Sequence, residues 1–178
     1  MDLLIKRVLR AALLDRELYK EVKADPSLNQ ESLQVVLAVS ILSGIGAFFA
    51  GLIAGKPAFI ALLVYSGIGV GNYYLWAYIT HYIGINIFDG EADLSELMRV
   101  LGYASAPRIL GFLVFIPYIG PVIALVGAIW SLAVGFFCVW EVFKKDTTET
   151  LLMVFSGWLA GFIIFWILNL IFGFTGAR

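Results

Sequence analysis

Few polar side chains interrupt the apolar runs of this sequence, and those few are the ones that could do chemistry. Arg108 directly follows Pro107, Glu141 ends a long apolar run, and Asn72, His81 and Tyr103 lie in or beside others. A charge at bilayer depth costs from about 3 to over 10 kcal/mol, so Arg108 has to be compensated, either by Glu141 or by snorkelling to headgroup phosphates. The acids Asp89, Glu91 and Asp93 are spaced like the first ligands of a calcium loop. Glycine stands at the second position of that loop instead of the sixth, and the twelfth residue is Val100, which cannot ligate. His81 has no second histidine, and the spans supply no oxygens to complete a metal site. Ser105, Ser131 and Ser156 have no base beside them and sit at small-residue positions typical of membrane serines. The run G-I-G-V-G at residues 67–71 follows no strand and has its third glycine misplaced for a dinucleotide fingerprint. No enzyme, no metal and no cofactor is expected.

The context that must position these residues is a bilayer. The chain has 178 residues, 61% hydrophobic and 14% charged, with a mean hydropathy of +0.93, against roughly 45–50% apolar residues in a soluble domain. Charge is segregated. Lys6, Arg7, Arg10, Arg16, Lys20 and Lys23 crowd the first 31 residues together with Asp2, Asp15, Glu17, Glu21, Asp25 and Glu31. Alternating signs leave no basic stripe for nucleic acid. The lone cysteine, Cys138, lies in an apolar run and reads as a small buried hydrophobe.

Residues 1–24 alternate apolar and basic positions at helical spacing, which predicts an amphipathic helix at the membrane surface contributing little to the fold of the spans. Asp25-Pro26 breaks it, and Ser27 or Asn29 is expected to cap the next helix. The first span is expected over residues 35–55 and the second over 58–84, reversed at Lys56-Pro57. Ser43, Ala47, Gly51 and Gly55 form a ridge at four-residue spacing that meets either Gly67 and Gly71 of the second span or a copy of itself in another chain. Tyr73, Tyr74, Trp76, Tyr78, His81 and Tyr82 are expected to form an interfacial aromatic belt. Asp93 is placed to cap a helix with Glu96 at its third position.

The next apolar run is divided by prolines. Either residues 98–116 cross as one kinked helix, or residues 109–121 dip in and return. Positive-inside counting favours crossing. With five spans, the six N-terminal basic residues, Arg99, Lys144 and Lys145 fall on the cytoplasmic side, and Lys56 and Arg178 fall outside. Residues 122–143 and 151–174 are the fourth and fifth spans.

L-M-R-V-L-G-Y-A-S-A-P, then I-P-Y-I-G-P, then E-V-F-K-K-D-T-T-E-T-L before the last span resemble the Yip family, the Ypt/Rab-interacting membrane proteins. The resemblance covers residues 30–175 and rests on the order of elements, with Gly102, Tyr103 and Pro107 matching the family's glycine-tyrosine and proline pattern. It implies an all-α, five-span helical bundle with a cytoplasmic N-terminus, in a family whose eukaryotic members act in Golgi traffic with prenylated Rab GTPases and form complexes with one another. Residues 24–33 read A-D-P-S-L-N-Q-E-S-L and lack the acidic-leucine-tyrosine-glycine-proline motif of eukaryotic members, which argues against a Rab-type partner and points to the bacterial or archaeal branch.

The expectation is therefore a surface segment at 1–31 and a membrane domain at 32–178, in a prokaryotic cytoplasmic membrane. Its role is non-enzymatic, through lipid, partner helices or a homo-oligomer. A small transporter or channel is the rival, and would bring Asn72, Tyr103, Arg108 and Glu141 to one cavity. Reporter fusions at Asp146 and Arg178 are expected to report opposite sides of the membrane; the same side from both would defeat the five-span reading.

Overall fold

A run of about 20 apolar residues can satisfy its backbone in lipid only by closing hydrogen bonds within itself, so hydropathy alone makes this chain helical. The computed structural model describes residues 2–172, in which every regular element is a helix. Arg178 and the end of the fifth expected span lie outside the described residues. The helices are α1 (Asp2–Ala12), α2 (Arg16–Ala24), α3 (Asn29–Ile53), α4 (Ala58–Asn86), α5 (Leu94–Ala104), α6 (Ile119–Phe143) and α7 (Thr147–Phe172), with 3₁₀ segments at Pro26–Leu28 and Ala106–Phe115. Four helices are long and apolar enough to cross a membrane: α3 with its leading 3₁₀ turn, α4, α6 and α7. The pair formed by α5 and Ala106–Phe115, bent by 44°, makes a fifth if it counts as one span.

The bundle is a ring. In order, α3, α4, α7, α6 and the long 3₁₀ segment each pack on the next and the last returns to α3, while α5 touches α3, α4 and α6 at one end. The central position of α5 is reflected in the complete burial of Leu97, Val100, Leu101, Tyr103 and Ala104. The bent pair runs parallel to α3: Ser32 bonds the Arg99 carbonyl at 2.8 Å, and further along the Phe49 ring meets that of Phe115 at 5.7 Å.

Capping chemistry sets the starts of the shorter elements. Asp93 accepts from the Ser95 amide at 2.7 Å, as expected, and that bond holds its carboxyl below the ordinary range. At the first span the cap is Asp25, bonding the Ser27 amide at 2.9 Å. Ser27 and Asn29 are not the caps, because Pro26 at the first helical position opens a 3₁₀ turn that leads into α3.

The N-terminal segment differs most from expectation. It forms two helices joined by Leu14 in the left-handed region (φ 62°), and Asp15 caps the second through the Glu17 amide at 3.0 Å. Leu18, Tyr19 and Val22 are fully buried where α2 packs on α5 and α6. The expectation that this segment contributes little to the fold is corrected: an apolar stripe can be covered by protein as well as by lipid. The aromatic belt divides in the same way. Tyr73 and Trp76 are buried in the core, and only Tyr78 and Tyr82 face outward. The Trp76 indole donates to the Val154 carbonyl at 3.1 Å and fits only because Gly135 and Gly157 each lack a Cβ, which would lie 2.5 Å from its ring.

The α3–α4 contact uses the ridge in part. A Cβ on Gly51 would lie 3.0 Å from the Ala58 Cα, and Ala47 is buried. Ser43 lies beside Gly111 of the 3₁₀ segment, and Gly55 is the left-handed turn residue (φ +64°) with nothing near it. On α4, Leu62 and Ser66 meet Gly44 of α3, and Gly69 is the glycine that meets it, since a Cβ there would lie 2.6 Å from Ser40 Oγ; among the described residues nothing lies within 4 Å of a Cβ on Gly67 or Gly71. Their expected pairing with the ridge within the chain is corrected, since α4 is rotated to present Gly69. Gly51→Leu is therefore expected to lower the thermal midpoint in detergent through overpacking of about 1–3 kcal/mol. Gly67→Leu should leave it unchanged, and equal losses from both would contradict this packing.

Candidate functional site

Polar side chains gather at two places, the end of the bundle that carries α1 and α2, and the break between α5 and the 3₁₀ segment. At the first, Arg99 is buried to 4% exposure. Its Nε donates to the Val22 carbonyl at 3.1 Å and its Nη2 to the Lys23 carbonyl at 2.6 Å. Its Nη1 donates to Asn29 Oδ1 at 3.0 Å. Those carbonyls belong to the last turn of α2, where a helix has no internal donors left and its dipole favours a cation. Lys23 in turn donates to the Val142 carbonyl at 3.2 Å near the end of α6.

Beside this clamp, Arg7 Nη1 reaches both oxygens of Glu31 at 2.9 and 3.1 Å. The Tyr103 hydroxyl donates to Glu31 Oε1 at 2.5 Å. One carboxylate thus ties α1, α3 and α5 together. Trp130 of α6 adds a bond from its indole to the Ala12 carbonyl at 2.7 Å. The clamp is not legible in sequence beyond one signal: Arg99 is the only charge within residues 97–107.

The four residues a transporter would bring to one cavity are kept apart. Asn72 lies against Gly161 of α7, and Tyr103 is in the clamp. Glu141 pairs with Lys144 at 2.5 Å. Arg108 cannot reach Glu141, because Gly127 is the α6 residue opposite Pro107 and Glu141 lies a further 14 residues along, about 20 Å of helix rise. Of the two compensations open to Arg108, the pair with Glu141 is therefore excluded. Arg108 instead lines a cavity of about 80 Å³ with Ser40, Ser43, Tyr65, Tyr73 and Ser105.

A family model described as the Yip1 domain matches residues 13–169. The chain belongs to the Yip1 domain family. No match to it was found among curated proteins or among solved structures. The Yip1 domain begins within the N-terminal helices, in keeping with the burial of α2. Gly102 and Tyr103 sit at the clamp: Gly102 lets the Ser32 hydroxyl approach α5 closely, and Tyr103 holds Glu31. Pro107 is buried in the first turn of the 3₁₀ segment, where its missing amide leaves no orphan donor.

Among the described residues no cluster of three or more histidine, cysteine or acidic side chains could hold a metal. The arrangement is suited to holding helices together, and it leaves an exposed apolar stripe on the outer side of α1, where Ile5 and Leu9, with Leu13 just past the helix end, stand four residues apart. Arg99→Met is expected to remove two to three charge-assisted bonds worth about 1.5–3 kcal/mol each before relaxation. Hydrogen exchange should then speed up across α2 while α4 and α7 keep their protection. Unchanged α2 protection would show that apolar packing alone seats the helix.

Proposed function

We propose that this protein is a non-enzymatic organiser of the membrane, a five-crossing bundle in a prokaryotic cytoplasmic membrane that carries, on its cytoplasmic end, a rigidly held amphipathic helix inserted in one leaflet. The observation that carries this reading is the combination at α1. Ile5, Leu9 and Leu13 project away from the bundle, while Arg7 and the Ala12 carbonyl are fixed by Glu31 and Trp130. An amphipathic helix in an interface buries its apolar face in the headgroup–acyl boundary and is sensitive to curvature. One that is tied to five spans cannot leave, so it adds area to a single leaflet.

The parallel course of α3 and the bent pair supports five crossings, since both travel from the end with α1 and α2 toward the other. Lys144 and Lys145 fall at the same end as the basic residues of α1 and α2, which supports a cytoplasmic N-terminus. The outward face of α4 that carries Gly67 and Gly71 is where a helix of another chain would pack, in a homo-oligomer or with another membrane protein. Rab-type GTPases are not part of this reading.

A small-solute transporter is the second reading, favoured by one observation, the helix break at Ser105 beside Arg108. The two separate in reconstituted vesicles. With increasing protein density the wild type is expected to reduce mean vesicle diameter in electron micrographs, and the variant I5E/L9E, folded and equally incorporated, is expected to leave it unchanged. Equal vesicle sizes with wild type and variant would remove the organising role.

A further inference from the structure

The break between α5 and the 3₁₀ segment gathers hydrogen-bond donors around one cation and supplies no anion. Arg108 lies one turn past Ser105, and its side chain enters the cavity that α3 and α4 also line. Ser40 and Ser43 lie near the middle of α3, so the cavity sits well inside the span. Among the described residues the Arg108 guanidinium makes no ion pair and no hydrogen bond. The Ser40 and Ser43 hydroxyls are likewise not engaged among them. Tyr73 donates its own hydrogen to the Met98 carbonyl at 2.9 Å, and Ser105 donates to the Gly102 carbonyl at 2.6 Å. Among the described residues no carboxylate lines the space.

A guanidinium carries five donors in a planar fork and no acceptor, and its strongest partners are carboxylates and phosphates bound by two parallel bonds. Left without one at this depth it is costly, and a membrane arginine of this kind marks a binding site unless it reaches the interface. About 80 Å³ corresponds to two or three waters at ~30 Å³ each, the size of a single oxyanion group and too small for a larger solute. The space exists because the chain bends by 44° after α5. The 3₁₀ segment swings onto α3 and α6, α4 stays on the other flank of α3, and the two are not packed closely against each other.

We propose that this cavity is a binding site for one phosphate-class oxyanion, held by the Arg108 fork with the Ser40 and Ser43 hydroxyls as additional donors. The anion is either inorganic phosphate or the phosphodiester of a lipid whose chains lie along the groove between α4 and the 3₁₀ segment. This site stands apart from α1, so it and the organising role can fail independently.

The test uses delipidated full-length protein in a non-ionic detergent, with thermal midpoints read in chloride buffer at fixed ionic strength. Three additions are compared: inorganic phosphate, dioleoylphosphatidylglycerol, and dioleoylglycerol, which has the same chains and no phosphate. A ligand at a hundredfold excess over its Kd is expected to raise the wild-type midpoint by roughly 5–10 °C. Arg108→Gln should abolish that rise and, in the absence of phosphate, unfold no earlier than wild type, because it removes an uncompensated charge. A rise with inorganic phosphate identifies a soluble ligand; a rise with phosphatidylglycerol alone identifies the lipid. No rise with either, a rise with dioleoylglycerol equal to that with phosphatidylglycerol, or an equal rise in Arg108→Gln overturns the site. Should Arg108→Gln fail to fold, the double variant S40A/S43A carries the decision: a rise reduced by half or more upholds the site, and an unaltered rise overturns it.

Discussion

Arg99 is the interaction on which the rest of the structure depends. A single guanidinium, nearly excluded from solvent, closes the last turn of α2 and holds Asn29 at the entry to α3. A buried cation is tolerable only when its donors are used, and removing such a partner usually costs several kcal/mol. Because Arg99 sits on α5, the central helix, it joins the N-terminal helices to every wall that α5 touches. The Arg7–Glu31–Tyr103 chain then fixes α1 relative to that assembly. The apolar face of α1 is held at a set orientation by the Arg7–Glu31 ion pair and the bond from Trp130 to the Ala12 carbonyl.

The second constraint is that a helix broken inside a membrane must find partners for the groups it frees. Here the break is managed locally. Ser105 returns a bond to the Gly102 carbonyl, and Ser131 of α6 donates to the Ala104 carbonyl at 2.6 Å. Past the break the chain continues as a 3₁₀ helix for ten residues, unusually long for a geometry normally limited to three or four. Pro107 suits the first turn of that helix because it has no amide to satisfy. The consequence is a helix narrow enough to lie between α3 and α6, with Gly46, Gly111 and Gly127 at the points of closest approach. The proposed organising role and the Arg108 cavity belong to different parts of the structure: a rigid end that carries α1, and a central depth where the bend leaves room.

Much of this architecture is legible in the amino-acid sequence. Length and hydropathy place the long helices within a few residues, Asp93 announces its own cap, and Lys56-Pro57 marks the α3–α4 reversal. The family is legible from the order of elements along the chain, and within it Gly102, Tyr103 and Pro107 serve a close contact, a hydroxyl bond and a helix start. The clamp is not, since its carbonyl acceptors belong to the backbone and carry no residue signature. Of the proposed oxyanion site, Arg108 stands out as an exception, and Ser40, Ser43 and Ser105 are not distinguishable from ordinary small residues.

Sequence by itself determined that the chain is helical, that it lives in a bilayer and where the four long apolar helices lie, because backbone satisfaction in lipid leaves no other solution for long apolar runs. Tertiary structure alone decided which way each span is rotated. In a soluble helix the polar face names the solvent side, but α4 is apolar all round, and lipid and protein interior are equally good cover for it. Hence Gly69 faces α3 while Gly67 and Gly71 do not, and Arg108 shares a cavity with Ser40 and Ser43 and lies far from Glu141. The same ambiguity conceals the burial of α2, since a stripe of Leu18, Tyr19 and Val22 reads alike whether membrane or protein covers it. Only the positions of α5 and α6 resolve that choice.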